Sequence, residues 1–131
     1  MTTEELYEVM PFARVLGIEL AEGASAEKVS GSVAWSPERC TVGGLLHGAV
    51  VMGLADACGA LCAALNLPEG ATGTATLESK TNLLRGVREG AVTATSRPLH
   101  RGRATVVVET EVRDGASRLV AKTTQTQAVL R

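Results

Sequence analysis

Asp56 is the only formally charged side chain between residues 41 and 68, a stretch otherwise rich in Gly, Ala and aliphatic residues. On a helical wheel Val50, Val51, Leu54, Cys58, Leu61, Cys62 and Leu65 form one bulky stripe. Ala49, Met52, Gly53, Asp56, Gly59, Ala60 and Ala63 collect on the other side. Glycine inside a helix costs about 1 kcal/mol relative to alanine, so Gly53 and Gly59 beside a lone carboxylate imply a close approach by a second subunit, a ligand, or both. An ionised carboxylate in such surroundings must be paired, hydrogen-bonded or shifted in proton affinity. One reading makes Asp56 a nucleophile or general base. The other gives it a backbone hydrogen bond or a salt bridge across an interface.

A second chemical element precedes this helix. Gly43-Gly44-Leu45-Leu46-His47-Gly48 brings the chain to the helix start, where backbone N–H groups and the positive end of the helix dipole favour developing negative charge. Gly48 is therefore a candidate oxyanion donor. His47 is either a catalytic base or a hydrogen-bonded positioning residue. At about 1.5 Å rise per residue, Gly48 and Asp56 on one straight helix stand roughly 12 Å apart, too far for both to touch one carbonyl at about 3 Å. If both act on one bond they come from different chains. Two such helices packed antiparallel through their small-residue faces would meet that condition in a symmetric dimer.

The elements that must hold these groups can be read on either side. Thr2 or Thr3 with Glu4 and Glu5 predicts a short helix reaching about residues 8–15 and disturbed at Pro11. Residues 18–21 and 28–35 read as extended and predict a first hairpin. The long helix covers about residues 47–65 and stops at Asn66-Leu67-Pro68-Glu69-Gly70. Four Thr/Val-rich strands follow near residues 74–84, 91–98, 104–113 and 119–130. The intervening segments, Arg85 to Gly90 among them, read as short turns between antiparallel neighbours. No crossover pattern appears, so the expectation is an α+β domain in which a largely antiparallel sheet of five or six strands wraps one long helix.

Composition narrows the function. A chain of 131 residues with 45% hydrophobic and 21% charged side chains has the texture of one ordinary globule. Thirteen Lys and Arg against fourteen Asp and Glu leave no basic field for nucleic acid, and three aromatic residues cannot form a base-stacking platform. Three cysteines without a CxxC pair argue against a disulfide framework and a zinc site. Cys58 and Cys62 fall on the bulky stripe and read as core. Acidic residues at the N-terminus and the charge within residues 41–68 lead us to expect a cytoplasmic protein with no membrane partner.

From Trp35 onward the chain resembles the hotdog-fold acyl-CoA thioesterases, in particular the group with the phenylacetate-pathway and 4-hydroxybenzoyl-CoA enzymes that carry Asp or Glu on the helix. The resemblance rests on Gly44-Leu45-Leu46-His47-Gly48, on Leu54-Ala55-Asp56 with the acid nine residues after the His, and on Thr76-Leu77-Glu78-Ser79-Lys80-Thr81-Asn82-Leu83-Leu84-Arg85. It implies a single hotdog domain over residues 1–131 that hydrolyses a small or aromatic acyl-CoA without a cofactor or metal. Asp56 then attacks or activates water, the Gly48 N–H of the facing subunit polarises the carbonyl, and Thr76 orients the water, unless Thr76 is there only for its β propensity. The implied assembly is a homodimer, with pairing of dimers into a homotetramer. The chain departs from the family at Thr41, where Asn or Gln is usual six residues before the His, and at Ala49, where a second Gly is usual. Arg85, Arg88, Arg101 and Arg103 are candidate contacts for the phosphates of coenzyme A, with Arg101 and Arg103 preferred, although solvated turns account for them too. The competing function is a noncatalytic hotdog module that binds acyl-CoA or another apolar ligand.

Overall fold

The computed structural model describes residues 1–131. In chain order the elements are α1 (Thr3–Val9), α2 (Pro11–Leu16), β1 (Glu19–Leu20), β2 (Val29–Ala34), α3 (Gly48–Ala64), β3 (Gly73–Leu83), β4 (Ala91–Arg101), β5 (Thr105–Arg113) and β6 (Leu119–Leu130). Thr2 and Glu5 form a reciprocal capping box at the start of α1. The single N-terminal helix expected from the sequence is two helices. Proline lacks an N–H and forces the residue before it out of the helical region, so Met10 turns the chain and Pro11 becomes the first residue of α2.

The six strands form one antiparallel sheet in the order β1-β2-β4-β5-β6-β3. The predicted first hairpin is present, with Leu20 opposite Gly31. The β4-β5-β6 meander also follows the sequence reading. The segment after β3 does not. β3 pairs with β6 rather than β4, so Arg85 to Gly90 is a crossing loop instead of a hairpin turn. It passes the start of α3, where Val87 is buried and its carbonyl accepts the Leu46 N–H at 2.8 Å. An apolar residue within a six-residue polar segment marks that crossing.

α3 lies on the concave face of the sheet. Alternation along β4 and β5 turns Val92, Ala94, Ser96, Val106, Val108, Thr110 and Val112 toward it, all fully buried. Val50, Val51, Leu54, Cys58, Leu61 and Cys62 bury the bulky stripe as expected, while Leu65 at the helix end is exposed. Each aliphatic side chain sequestered this way contributes about 1.5–3 kcal/mol. Gly31 in β2 leaves room for Cys58, whose sulfur lies 2.9 Å from where a Cβ would stand. Burial pushes the Cys58 thiol up to about 12 and Cys62 to about 11. Both stay protonated core side chains at neutral pH.

The small-residue face of α3 differs from its sequence reading. A Cβ on Gly53 would stand 2.6 Å from Leu16 of α2, and one on Gly59 would overlap the amide of Gln125 from β6. Both glycines are filled from within the chain. They accommodate intramolecular neighbours, not a second helix. β3 stays unpaired along its outer edge and exposes Leu77 and Leu83, with Leu84 just beyond.

Candidate active site

Asp56 is half-buried near the middle of α3, facing the junction of β3 and β6. Its Oδ1 accepts two hydrogen bonds, from Thr76 Oγ1 and from Gln125 Nε2, each at 3.2 Å. Gln127 Nε2 in turn donates to Thr76 Oγ1 at 2.6 Å. None of the five salt bridges includes Asp56. The carboxylate is held by neutral donors on one oxygen, while Oδ2 has no partner in the chain. β3 bulges between Thr76 and Glu78, putting Leu77 out of register and turning Thr76 toward the helix alongside Ser79 and Thr81.

The start of α3 leaves one donor free. His47 is the N-cap, and its Nδ1 accepts the Ala49 N–H at 2.9 Å. Its carbonyl takes the N–H groups of Val50 and Val51. Of the first-turn donors, only that of Gly48 meets no acceptor in the chain. The cap also fixes the His47 tautomer: with Nδ1 occupied as acceptor, the ring presents N–H at Nε2.

The approach to this donor is built by two adjacent glycines in the left-handed region, Gly43 at φ 76° and Gly44 at φ 72°. Trp35 Nε1 donates to the Gly44 carbonyl at 2.9 Å, and Arg88 Nη1 donates to that of Gly43. Beside the donor lies a cavity of about 300 Å³ whose wall includes Thr41, Leu46, Gly48, Val51, Leu83 and Arg85. Leu83 covers Gly48 so closely that a Cβ there would stand 2.6 Å from it. Leu45, Arg85, Gly86 and Val87 also border a wider groove of about 1070 Å³ flanked by Arg88, Asp114 and Arg118. Asp56 lines neither space.

The predicted site residues thus fall into two groups within one chain. Asp56 and Thr76 are in contact. Gly48, Thr41 and Arg85 share the cavity, while Arg88 flanks the wider groove and His47, as the cap of α3, lines neither space. Arg101 and Arg103 belong to neither group: Arg101 is paired with Glu27 at 2.5 Å, and the Arg103 carbonyl accepts from Arg131. Gln125 and Gln127 were missed from the sequence, where the alternation of β6 reveals only a strand. The available signal is that these are the only two glutamines in the chain and occupy alternate positions, hence one face.

Comparison with known proteins points one way. A sequence model of the thioesterase superfamily matches residues 43–121. Over 88 residues, covering 67% of this chain and 58% of the relative, the sequence is 39% identical to a provisionally named esterase of Vibrio cholerae. Over 117 residues, 88% of this chain and 91% of the relative, it is 33% identical to a provisionally named esterase of Bacillus subtilis. A match to the 1,4-dihydroxy-2-naphthoyl-CoA hydrolase of Escherichia coli is 36% identical over 87 residues, 66% of this chain and 63% of the relative. Against the Vibrio and Escherichia relatives the chain thus spans only 58% and 63% of their length. A crystallised thioesterase from Haemophilus influenzae superposes with a TM-score of 0.90 at 28% identity, covering 100% of this chain and 92% of that one. The PaaI protein of the Escherichia coli phenylacetic acid degradation operon, 19% identical, shares the fold with a TM-score of 0.86 over 99% of this chain and 91% of that one. The sheet wrapped on α3 is the hotdog fold that the sequence resemblance implied.

Proposed function

This chain belongs to the thioesterase superfamily, and we propose that it hydrolyses the thioester of a small or aromatic acyl-CoA to free acid and coenzyme A. One observation carries the reading. The Asp56 carboxylate has one oxygen held by neutral donors and one left open, on the same helix whose first N–H, that of Gly48, is unsatisfied beside an apolar cavity. In the proposed reaction Asp56 takes a proton from water as the water oxygen attacks the thioester carbon, or attacks that carbon itself to form an anhydride that a water molecule then hydrolyses to the free acid and the regenerated carboxylate. The Gly48 N–H of the facing subunit binds the oxyanion, a contact typically worth about 2.7–4 kcal/mol. The C–S bond then breaks and coenzyme A leaves as its thiol, its sulfur taking the proton that Asp56 removed from water or, after direct attack, a proton from solvent. Thr76 orients the carboxylate and the water. Thr41, at the cavity wall, takes the place of the usual amide beside the thioester.

The unpaired β3 edge supports the two-fold partner this requires. Thr76 touches Asp56 and Leu83 covers Gly48, seven residues further along the same strand. Antiparallel pairing of β3 with its copy, centred between Ser79 and Lys80, puts Thr76 of one protomer beside Leu83 of the other, and so Asp56 beside the partner's Gly48. It also covers an exposed strand edge that is otherwise open to aggregation. We extend the assembly to a tetramer of two such dimers.

For the phosphates of coenzyme A the geometry favours Arg85, which borders both cavity and groove and has no salt bridge or hydrogen bond to its guanidinium. Arg88 would have to share its donors with Gly43, and Arg101 would have to exchange Glu27 for phosphate; Arg103 stands as a further contact. The aromatic preference draws on the name of the Escherichia coli relative. The three free thiols fit a cytoplasmic setting, and no helix is long and apolar enough to cross a membrane. The test is thiol release from a panel of aliphatic and aryl acyl-CoAs, with Asp56→Asn as control. Turnover that disappears in the variant supports the reading. Binding of acyl-CoA without thiol release by the unaltered protein would select the noncatalytic module instead.

A further inference from the structure

We infer that Gln125 and Gln127 are positioning residues that clamp one oxygen of Asp56 and thereby select Oδ2 as the oxygen that meets water or substrate. The inference rests on the hydrolase reading for its chemistry, but its geometry stands apart from it. Both side chains are buried, at 0% and 1% exposure, on the sheet face that packs against α3. Other buried polar side chains of that face satisfy one another: Ser96 pairs with Thr110 and Thr123 with Thr81, both at 2.7 Å. Gln125 instead reaches off the sheet to Asp56 directly, while Gln127 donates across the ladder to Thr76, its register partner in β3, which in turn donates to Asp56.

Gln125 leaves its own acceptor unmet. Its Oε1 is buried without a hydrogen-bond partner, facing Gly59, where any Cβ would overlap it. A buried unpaired carbonyl is destabilising, and an apolar side chain of similar volume would fill the position without it. What the glutamine adds is the donor aimed at Asp56. Turning the amide over would satisfy nothing and would set an oxygen against the carboxylate. Gly59 is the accommodation on the helix side, since it gives up helix propensity to seat this amide. Both donors fall on Oδ1, so the carboxylate is fixed about its terminal torsion and Oδ2 is left without a partner.

The test uses the full-length protein. In Gln125→Met, which keeps the volume and removes the donor, kcat for thiol release should fall about tenfold with KM unchanged, as expected for a lost hydrogen bond to a charged group. Gln127→Met, acting through Thr76, should fall about threefold and add nothing to Thr76→Val. Neither change should lower the residual rate of Asp56→Asn, whereas a purely structural defect would. A second measurement needs no substitution at the glutamines. With glutamine as the only 15N-labelled residue, the protein shows two side-chain amide pairs, and that of Gln125 should shift on Asp56→Asn while that of Gln127 shifts on Thr76→Val. Amide signals indifferent to both substitutions would overturn the clamp, as would full kcat in a folded Gln125→Met. If the unaltered protein released no thiol, the hydrolase reading would fail while the amide shifts still decided the contact. If Asp56→Asn were inactive and the glutamine signals unmoved, the clamp alone would fail.

Discussion

The surroundings of Gly48 and of Asp56, at the start and the middle of α3, are built by opposite means. Around Gly48 the chain removes partners: the cap on His47 consumes the neighbouring donors, two left-handed glycines bend the loop away, and a single N–H is left facing an apolar cavity. Around Asp56 it supplies partners, with two strands converging on one carboxylate oxygen. An electrophile-stabilising donor gains from being unsatisfied in a dry setting, whereas a carboxylate must be held and kept soluble in the fold. A rigid helix keeps the two apart, so in the proposed reaction neither end serves as a site alone.

The largest effect should come from the carboxylate end. Asp56→Asn is expected to lower kcat about 1,000-fold, within the range of a lost general base, while gel filtration shows the same assembly. Retained activity would break the contrast by making Asp56 structural. At the other end, Gly48→Pro removes the free N–H and also sets a Cβ against Leu83, a contact that Gly48→Ala makes while keeping the N–H, so the alanine variant is its control. Proline is well tolerated at the first helical position, and His47 already has the extended backbone that precedes proline comfortably. A fall of about 100-fold in kcat relative to Gly48→Ala is expected, with the two variants melting at similar temperatures. A drop confined to stability would show that the donor is idle.

Two smaller effects sharpen the comparison. Arg85→Ala should raise KM for acyl-CoA about tenfold and leave kcat nearly unchanged. Arg101→Ala should change KM by less than about threefold, because its exposed pairing with Glu27 already occupies it. The reverse order would move the phosphate contact to the other end of the sheet. His47→Ala should destabilise the protein by about 1 kcal/mol through loss of the cap, with kcat falling less than about tenfold. A fall above about 100-fold would identify the imidazole as a base instead.

Much of this was legible in the chain. The bulky stripe of α3 and the Thr/Val alternation of β4 to β6 specify elements through burial periods of 3.6 and 2, and both survive because one face of each element meets the core. The lone Asp56 and the Gly48 turn were legible for a related reason, since charge and conformational freedom are out of place inside an apolar helix. Pairing was harder to read. Nothing local distinguishes the Arg85 to Gly90 crossing from a hairpin except buried Val87, and strand order is settled by the whole sheet. Gly53 and Gly59 mark a close approach, read from the sequence as a second subunit, a ligand or both, because a wheel shows that space is made without showing that Leu16 and Gln125 fill it. Gln125 and Gln127 stayed hidden for the complementary reason: polar residues at core positions acquire meaning only when the carboxylate above them is seen.

The claim that one site draws on two protomers is tested most directly by complementation. Asp56→Asn and Gly48→Pro, each expected to keep about 1% of the rate or less alone, are co-refolded in equal amounts and assayed for thiol release. Random pairing makes half of the dimers mixed with one intact site in each, so recovery to about a quarter of the unaltered rate is predicted. A mixture no more active than its two components would contradict a shared site.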